Sequence, residues 1–78
     1  MQIIINISLK NGVLDPQGKA VEKALHALGF NGVSGVKIAK QIKLELNQTN
    51  KEKALEEVKK MCEELLVNCV IEDYEIVL

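Results

Sequence analysis

The sequence predicts an α+β fold, a two-layer sandwich in the order β-α-β(β)-α-β, with an antiparallel or mixed sheet carrying two helices on one face. Three observations point to it. Segments at the start, middle and end of the chain alternate apolar and polar residues with period two, as half-buried strands do. The two segments between them repeat with the period of an amphipathic helix. A chain of 78 residues fits one domain, residues 1–78, and leaves no room for a second.

The first strand runs from Gln2 to Lys10. Ile3, Ile5, Ile7 and Leu9 share one side, Gln2, Asn6, Ser8 and Lys10 the other, and Ile4 alone breaks the pattern. Asn11-Gly12 ends the run. In Asp15-Pro16-Gln17-Gly18, Asp15 can accept from the orphan amides of a following helix, while Pro16 fills a first helical position where its missing N–H costs nothing. Ala20, Val21, Ala24, Leu25, Ala27 and Leu28 then form the apolar stripe of a helix of about three turns, opposite Lys19, Glu22, Lys23 and His26. Gly29 suits the left-handed exit, and Phe30 can fold back on the helix end.

Val36 to Leu46 alternates almost without fault, with Val36, Ile38, Ile42, Leu44 and Leu46 on one parity and only Lys40 interrupting. A single long strand overhanging toward a neighbour fits this pattern. So does a hairpin through Ala39-Lys40-Gln41, in which Ile38 faces Ile42 and Val36 faces Leu44. Two short strands, or one sharply bent strand, is the preferred expectation, because the whole run exceeds the usual strand length of about 5–6 residues.

Thr49 with Glu52 has the form of a capping box, although Asn50 can serve as the cap instead. The second helix is expected from Lys51 to Leu66, with Ala54, Leu55, Val58, Met61, Cys62 and Leu65 facing inward. Glu56/Lys60, Lys59/Glu63 and Lys60/Glu64 are spaced for ion pairs outside. Asn68 suits a left-handed exit. Val70 to Leu78 reads as the last strand. Each helix crosses one face of the sheet, an arrangement related to the ferredoxin-like one.

Composition narrows the function. Apolar residues make up 47% of the chain and charged ones 27%, a balance that supports a folded core. Ten basic residues against eleven acidic ones are scattered, and Phe30 and Tyr74 are the only aromatics, so neither a phosphate-tracking stripe nor a base-stacking platform is present. Nucleic acid is excluded as a partner. The opening Met1-Gln2-Ile3-Ile4-Ile5-Asn6 lacks a basic n-region, and no apolar run approaches the roughly 18 residues of a membrane span. The expected location is the cytoplasm.

No residue pattern spells catalysis. Cys62 and Cys69 with the lone His26 form no zinc-ligand spacing and are read as two buried thiols. Glu56, Glu57, Glu63 and Glu64 fall on the solvent side of a helix, where charge is ordinarily solvated. Gly29, Gly32 and Gly35 have neither the place nor the spacing of a phosphate-binding loop. No cofactor, metal or catalytic residue is assigned. A minimal enzyme built on Tyr74 with Glu72 or Asp73 lacks any base, metal or nucleophile arrangement. A metabolite-binding regulatory module acting as a dimer is the alternative of a different class, and it rests on fold analogy alone.

Two long motifs are more specific than this. Val13-Leu14-Asp15-Pro16-Gln17-Gly18, followed by Ala20, Leu28-Gly29-Phe30 and Val33 to Val36, resembles the opening half of the PurS family, the small subunits of multi-subunit phosphoribosylformylglycinamidine synthase. Cys62-Glu63-Glu64-Leu65-Leu66-Val67-Asn68-Cys69-Val70-Ile71-Glu72-Asp73-Tyr74 is similar to that family's closing signature, which usually has Ala at Val67 and Pro at Cys69. The family commonly has Val-Arg where this chain has Val36-Lys37, and Gly-Lys where it has Ala39-Lys40.

The resemblance implies a subunit without a catalytic site, serving an ATP-dependent C–N ligase with glutamine as amide donor, in purine biosynthesis. ATP, magnesium and glutamine are used by the complex and none is bound by this chain. The implied partners are a second copy, as a homodimer or a dimer of dimers, the large synthase subunit and the glutaminase subunit. The small subunit joins the other two so that ammonia reaches the activated amide. Candidate interface residues are Asp15, Pro16, Gln17 and Gly18 at the first turn, Lys37 and Lys40 in the middle segment, and Asn68, Glu72, Asp73 and Tyr74 near the end.

Overall fold

A computed structural model describes residues 1–78. The first strand, β1 (Gln2–Leu9), is the one element with a partner on each side. The second, β2 (Lys40–Glu45), and the third, β3 (Glu72–Val77), both pair with it antiparallel, giving the order β2-β1-β3. The registers Ile3↔Leu44, Ile5↔Ile42 and Ile7↔Lys40 on one flank, with Ile5↔Ile76 and Ile7↔Tyr74 on the other, put the three isoleucines on one face. That face is the core. Helix α2 (Lys51–Met61) lies over it, and Ile3, Ile5, Ile7, Ala54, Val58 and Cys62 are shut off from water, with Val67 nearly so. The α+β sandwich and its antiparallel sheet are those expected.

Helix α1 (Pro16–Ala27) has Asp15 as its cap and Pro16 in its first turn. Gly29 leaves it at φ 97°, and the amides of Gly29 and Phe30 bond to the carbonyls of His26 and Leu25 at 3.0 Å each. These bonds satisfy carbonyls that the helix end would otherwise orphan. Within one chain α1 packs on no strand and on no other helix. The molecule is correspondingly long, 49 × 23 × 15 Å.

Two local expectations are corrected, the hairpin and the left-handed exit at Asn68, and two open points, the break at Lys40 and the choice of cap, are settled. The hairpin through Ala39-Lys40-Gln41 does not form: Ile42 pairs with Ile5 and not with Ile38, so the middle segment supplies one strand to the sheet. Lys40 breaks the apolar parity because it faces Glu72 across β1, at 3.3 Å. Of the two caps, Asn50 is used, accepting from the amides of Glu52 and Lys53. Asn68 is not left-handed, since no residue other than glycine has positive φ. Its side chain instead accepts from the Val70 amide at 3.2 Å and its carbonyl from those of Ile71 and Glu72, which turns the chain into β3.

The remaining corrections concern the end of the second helix. After Met61 the helix widens into one π-helical turn, Cys62–Leu66, closed by the Val67 amide on the Cys62 carbonyl at 2.9 Å. The extra residue shifts the inward position from Leu65 to Leu66 and Val67 and leaves Leu65 83% exposed. None of the three spaced ion pairs on this helix forms. Of the two cysteines only Cys62 is buried, and desolvation pushes its thiol pKa up. Cys69, beyond the turn, is exposed.

Candidate functional site

Asp15 organises the surface that the sequence motifs single out. One carboxylate oxygen accepts from the Gly18 amide at 2.9 Å, capping α1, and the other accepts from the Ile38 amide at 2.8 Å. Those two bonds, the Gly18 one foremost, hold the Asp15 carboxyl below its ordinary pKa. Further along the helix Glu22 accepts from the Gly35 amide at 2.8 Å, and the His26 ring Nε2 donates to the Val33 carbonyl at 2.6 Å. The segment from Val33 to Ile38 therefore runs back along α1, held by three side chains on its backbone. Helix and returning segment form one arm.

Gly18 lets that segment lie so close. It is the one buried residue of α1, and a Cβ there would collide with the carbonyl oxygen of Val36. Lys37 reaches the Asn11 side chain at 3.3 Å, tying the arm to the turn that follows β1. Pro16 and Gln17 remain exposed on the outside of the first turn.

Where the arm meets the sheet, Asp15, Gln17, Ile38, Ala39, Lys40 and Glu72 surround a cleft of about 200 Å³ floored by β1. Glu72 sits at its edge with its side chain 14% exposed, paired with Lys40. A bond of 2.8 Å from the Asn68 amide, and then Lys40, hold the Glu72 carboxyl below its ordinary pKa. A second, wider cleft of about 450 Å³ adjoins the first through Ser8, Ala39 and Lys40, and is lined also by Asn6, Gln41, Asp73, Tyr74 and Glu75. Asn6 and Gln41 bond there at 2.8 Å, and Asp73 pairs with Lys10 at 3.5 Å. Tyr74 is half-buried, which raises its phenol pKa.

Six of the ten candidates, Asp15, Gln17, Lys40, Glu72, Asp73 and Tyr74, thus line two adjoining clefts. Asn68 belongs with them through Glu72. Asp15 and Gly18 shape the arm from within, Pro16 starts its helix, and Lys37 lies apart on the Asn11 side. The sequence reading missed Glu22 and His26 as clamps. Both follow Asp15 along one side of the helix, a spacing visible in the sequence, but their partners are backbone groups that no residue type labels.

The charged and polar groups assembled here are paired with one another and with the backbone. No three His, Cys, Asp or Glu side chains gather as metal ligands, and every buried side-chain nitrogen and oxygen is hydrogen-bonded. What they offer is a stiff, charged and hydrogen-bonding surface.

Residues 2–78 match the family described as PurS, phosphoribosylformylglycinamidine (FGAM) synthase. The chain belongs to the PurS family. It is 50% identical over 70 residues to the PurS subunit of Methanocaldococcus jannaschii, covering 90% of this chain and 84% of that one. With the Bacillus subtilis PurS subunit it is 45% identical over 73 residues, covering 94% and 86%. The crystal structure of M. jannaschii PurS superimposes with a TM-score of 0.87 over 97% of this chain and 92% of that one, at 46% identity. A PurS-like chain in the structure of PurLQS from Thermotoga maritima gives 0.88 over 97% and 93%, at 42% identity.

The clamp makes two outcomes testable. Gly18→Ala is expected to detach the returning segment, seen as loss of hydrogen-exchange protection at Gly35 and Ile38 with β1 unaffected; retained protection at both would contradict the close approach. Asp15, Glu22 and Glu72 all have folded pKa values below their unfolded ones. Their contribution is complete above the unfolded carboxylate range, about pH 4, and is lost as pH falls through the lower folded values. Carboxyl titration by NMR is expected to place the Asp15 midpoint below 3.8, its ordinary value, and a midpoint at or above that value would contradict the clamp.

Proposed function

We propose that the chain is the non-catalytic coupling subunit of a phosphoribosylformylglycinamidine synthase in purine biosynthesis. It acts as a homodimer that joins the ATP-dependent large subunit to the glutaminase subunit, in the cytoplasm. The observation that carries this reading is the contrast between polar and apolar surface. The core holds no buried polar or charged residue, and the side chains of Asp15, Glu22 and His26 are bonded to backbone groups of the returning segment, whereas Val21, Leu28, Phe30 and Ile38 on the arm are 40–73% exposed.

The area left open has the size of an interface. A folded monomer of 8.6 kDa exposes about 4,700 Å² by the usual scaling of surface with mass. This chain exposes 5809 Å², a surplus of about 1,100 Å², where a standard interface takes about 800 Å² from each partner. Its radius of gyration is 16.1 Å, against about 11.5 Å for a compact domain of its length. A second copy that covers the arm accounts for both excesses. The two clefts beside it, with Gln17, Lys40, Asp73 and Tyr74, then face the other subunits. The relative in the PurLQS structure supports such an assembly. Holding the ammonia-releasing and ammonia-using sites in one assembly raises the effective concentration at which the intermediate meets its acceptor.

The test is product formation from formylglycinamide ribonucleotide, ATP, magnesium and glutamine by the large subunit and glutaminase, with and without this chain, beside the same assay fed with ammonia. Glutamine-dependent turnover is expected to fall at least tenfold without the chain, while turnover with excess ammonia changes little. Equal dependence of both rates, or dependence of neither, would contradict a coupling role.

A further inference from the structure

Two thiols flank the end of α2 and have no part in the clefts or the arm. Cys62 opens the π turn and is fully shut off from water, whereas Cys69, just past the residue that closes the turn, is exposed. Val67 ties them together. Its amide donates to the Cys62 carbonyl at 2.9 Å, and its own carbonyl accepts from the Cys69 thiol at 3.9 Å, so the exposed sulfur is folded back onto the turn that holds the buried one. Neither the amide nor the carbonyl of Cys69 is bonded within the chain, so moving this residue breaks no backbone bond of its own.

Tyr74, opposite Ile7 in the sheet, reports the same neighbourhood. Desolvation, and then the charges of Glu63, Cys62 and Cys69, raise its phenol pKa, and Cys69 adds to the burial that raises the Cys62 thiol. Both sulfurs therefore lie beside one ring. Burial divides their chemistry, because only a thiolate attacks a disulfide. Cys62 keeps its proton and is closed to any reagent, while Cys69 meets solvent. The barrier between them is local: the Val67 bond that covers Cys62 sits at a helix end, and Leu65 beside it is 83% exposed and adds little burial to hold the turn shut.

We propose that Cys69 and Cys62 are a thiol–disulfide exchange pair for small-molecule disulfides, Cys69 as the entry thiol and Cys62 as the resolving one. The Cys69 thiolate attacks one sulfur of the small disulfide, whose S–S bond breaks, and the first small thiol leaves with the proton. When the Val67–Cys62 bond opens, Cys62 gives its proton to water and attacks the Cys69 sulfur, which forms the internal disulfide and expels the second small thiol. Both protein sulfurs are oxidised and the small disulfide is reduced to two thiols. The product bridges the π turn. Asn68 lies inside that bridge, and its amide, side chain and carbonyl hold Glu72 and start β3, so the bridge is felt at the cleft that Glu72 edges. The pair stands independently of the subunit reading above.

The full chain, treated with oxidised glutathione without denaturant and followed by intact-mass spectrometry, tests it. A single glutathione adduct is expected first, replaced by a chain that has lost the adduct and one hydrogen from each thiol. In Cys62→Ala the adduct is expected to form at Cys69 and persist. In Cys69→Ser, modification is expected to slow at least tenfold, because the buried thiol must wait for local opening. Tyr74 is the one tyrosine and there is no tryptophan, so its emission is expected to fall as the internal disulfide, a quencher, closes beside it. No reaction, an adduct that persists in the unaltered chain, a disulfide between two copies, or a Cys69→Ser chain modified as fast as the unaltered one would each overturn the pair. The unaltered chain alone gives the deciding masses, so a variant that circular dichroism shows to be unfolded leaves the test standing.

Discussion

The carboxylate of Asp15 decides how this small chain is laid out. With one oxygen on the Gly18 amide and the other on that of Ile38, it joins the start of α1 to the segment entering β2. The bond to Gly18 is an ordinary helix cap, and the bond to Ile38 is what commits residues 33–38 to run along the helix instead of extending the sheet. Glu22 and His26 continue the attachment. Without it Val36 to Ala39 would be free to prolong β2. With it, α1 and its returning segment leave the sheet as one body, and only α2 remains to close the core of the single chain.

From that division follows the unequal finish of the two halves. The sheet and α2 bury three isoleucines of β1 to 1% exposure or less. On the arm, by contrast, the polar groups are attended to and the apolar ones are not. Such a surface suits a subunit whose activity lies in whom it holds. The clefts where arm and sheet meet bring Gln17, Lys40, Glu72, Asp73 and Tyr74 into one neighbourhood, the surface proposed above for the other subunits.

Much of this was legible in the residues. Alternation found all three strands, the apolar stripes found both helices, and Asp15, Pro16 and Gly29 marked the ends of α1 as the structure has them. What was not legible depended on backbone groups and on one inserted residue. Asp15 has a second acceptor oxygen, and nothing in the sequence says that the Ile38 amide will find it. The alternation of Val36 and Ile38 fits a strand equally well whether or not a partner strand is there to pair with. The π turn defeats helical spacing at Leu65, since a rule that counts 3.6 residues per turn cannot register a turn that holds one more. The adjacency of Gln17 to Glu72 is a tertiary fact, although the sequence motifs named both.

The central claim is that α1 is completed by a second copy, and native-state hydrogen exchange followed across a range of chain concentrations tests it most directly. Protection of the α1 amides from Leu25 to Leu28 is expected to rise with the fraction of dimer, while Ile5 and Ile7 in β1 keep the protection that the single chain already gives them. Protection of α1 that is the same at every concentration, in a chain shown by sedimentation to pass from monomer to dimer, would contradict the claim.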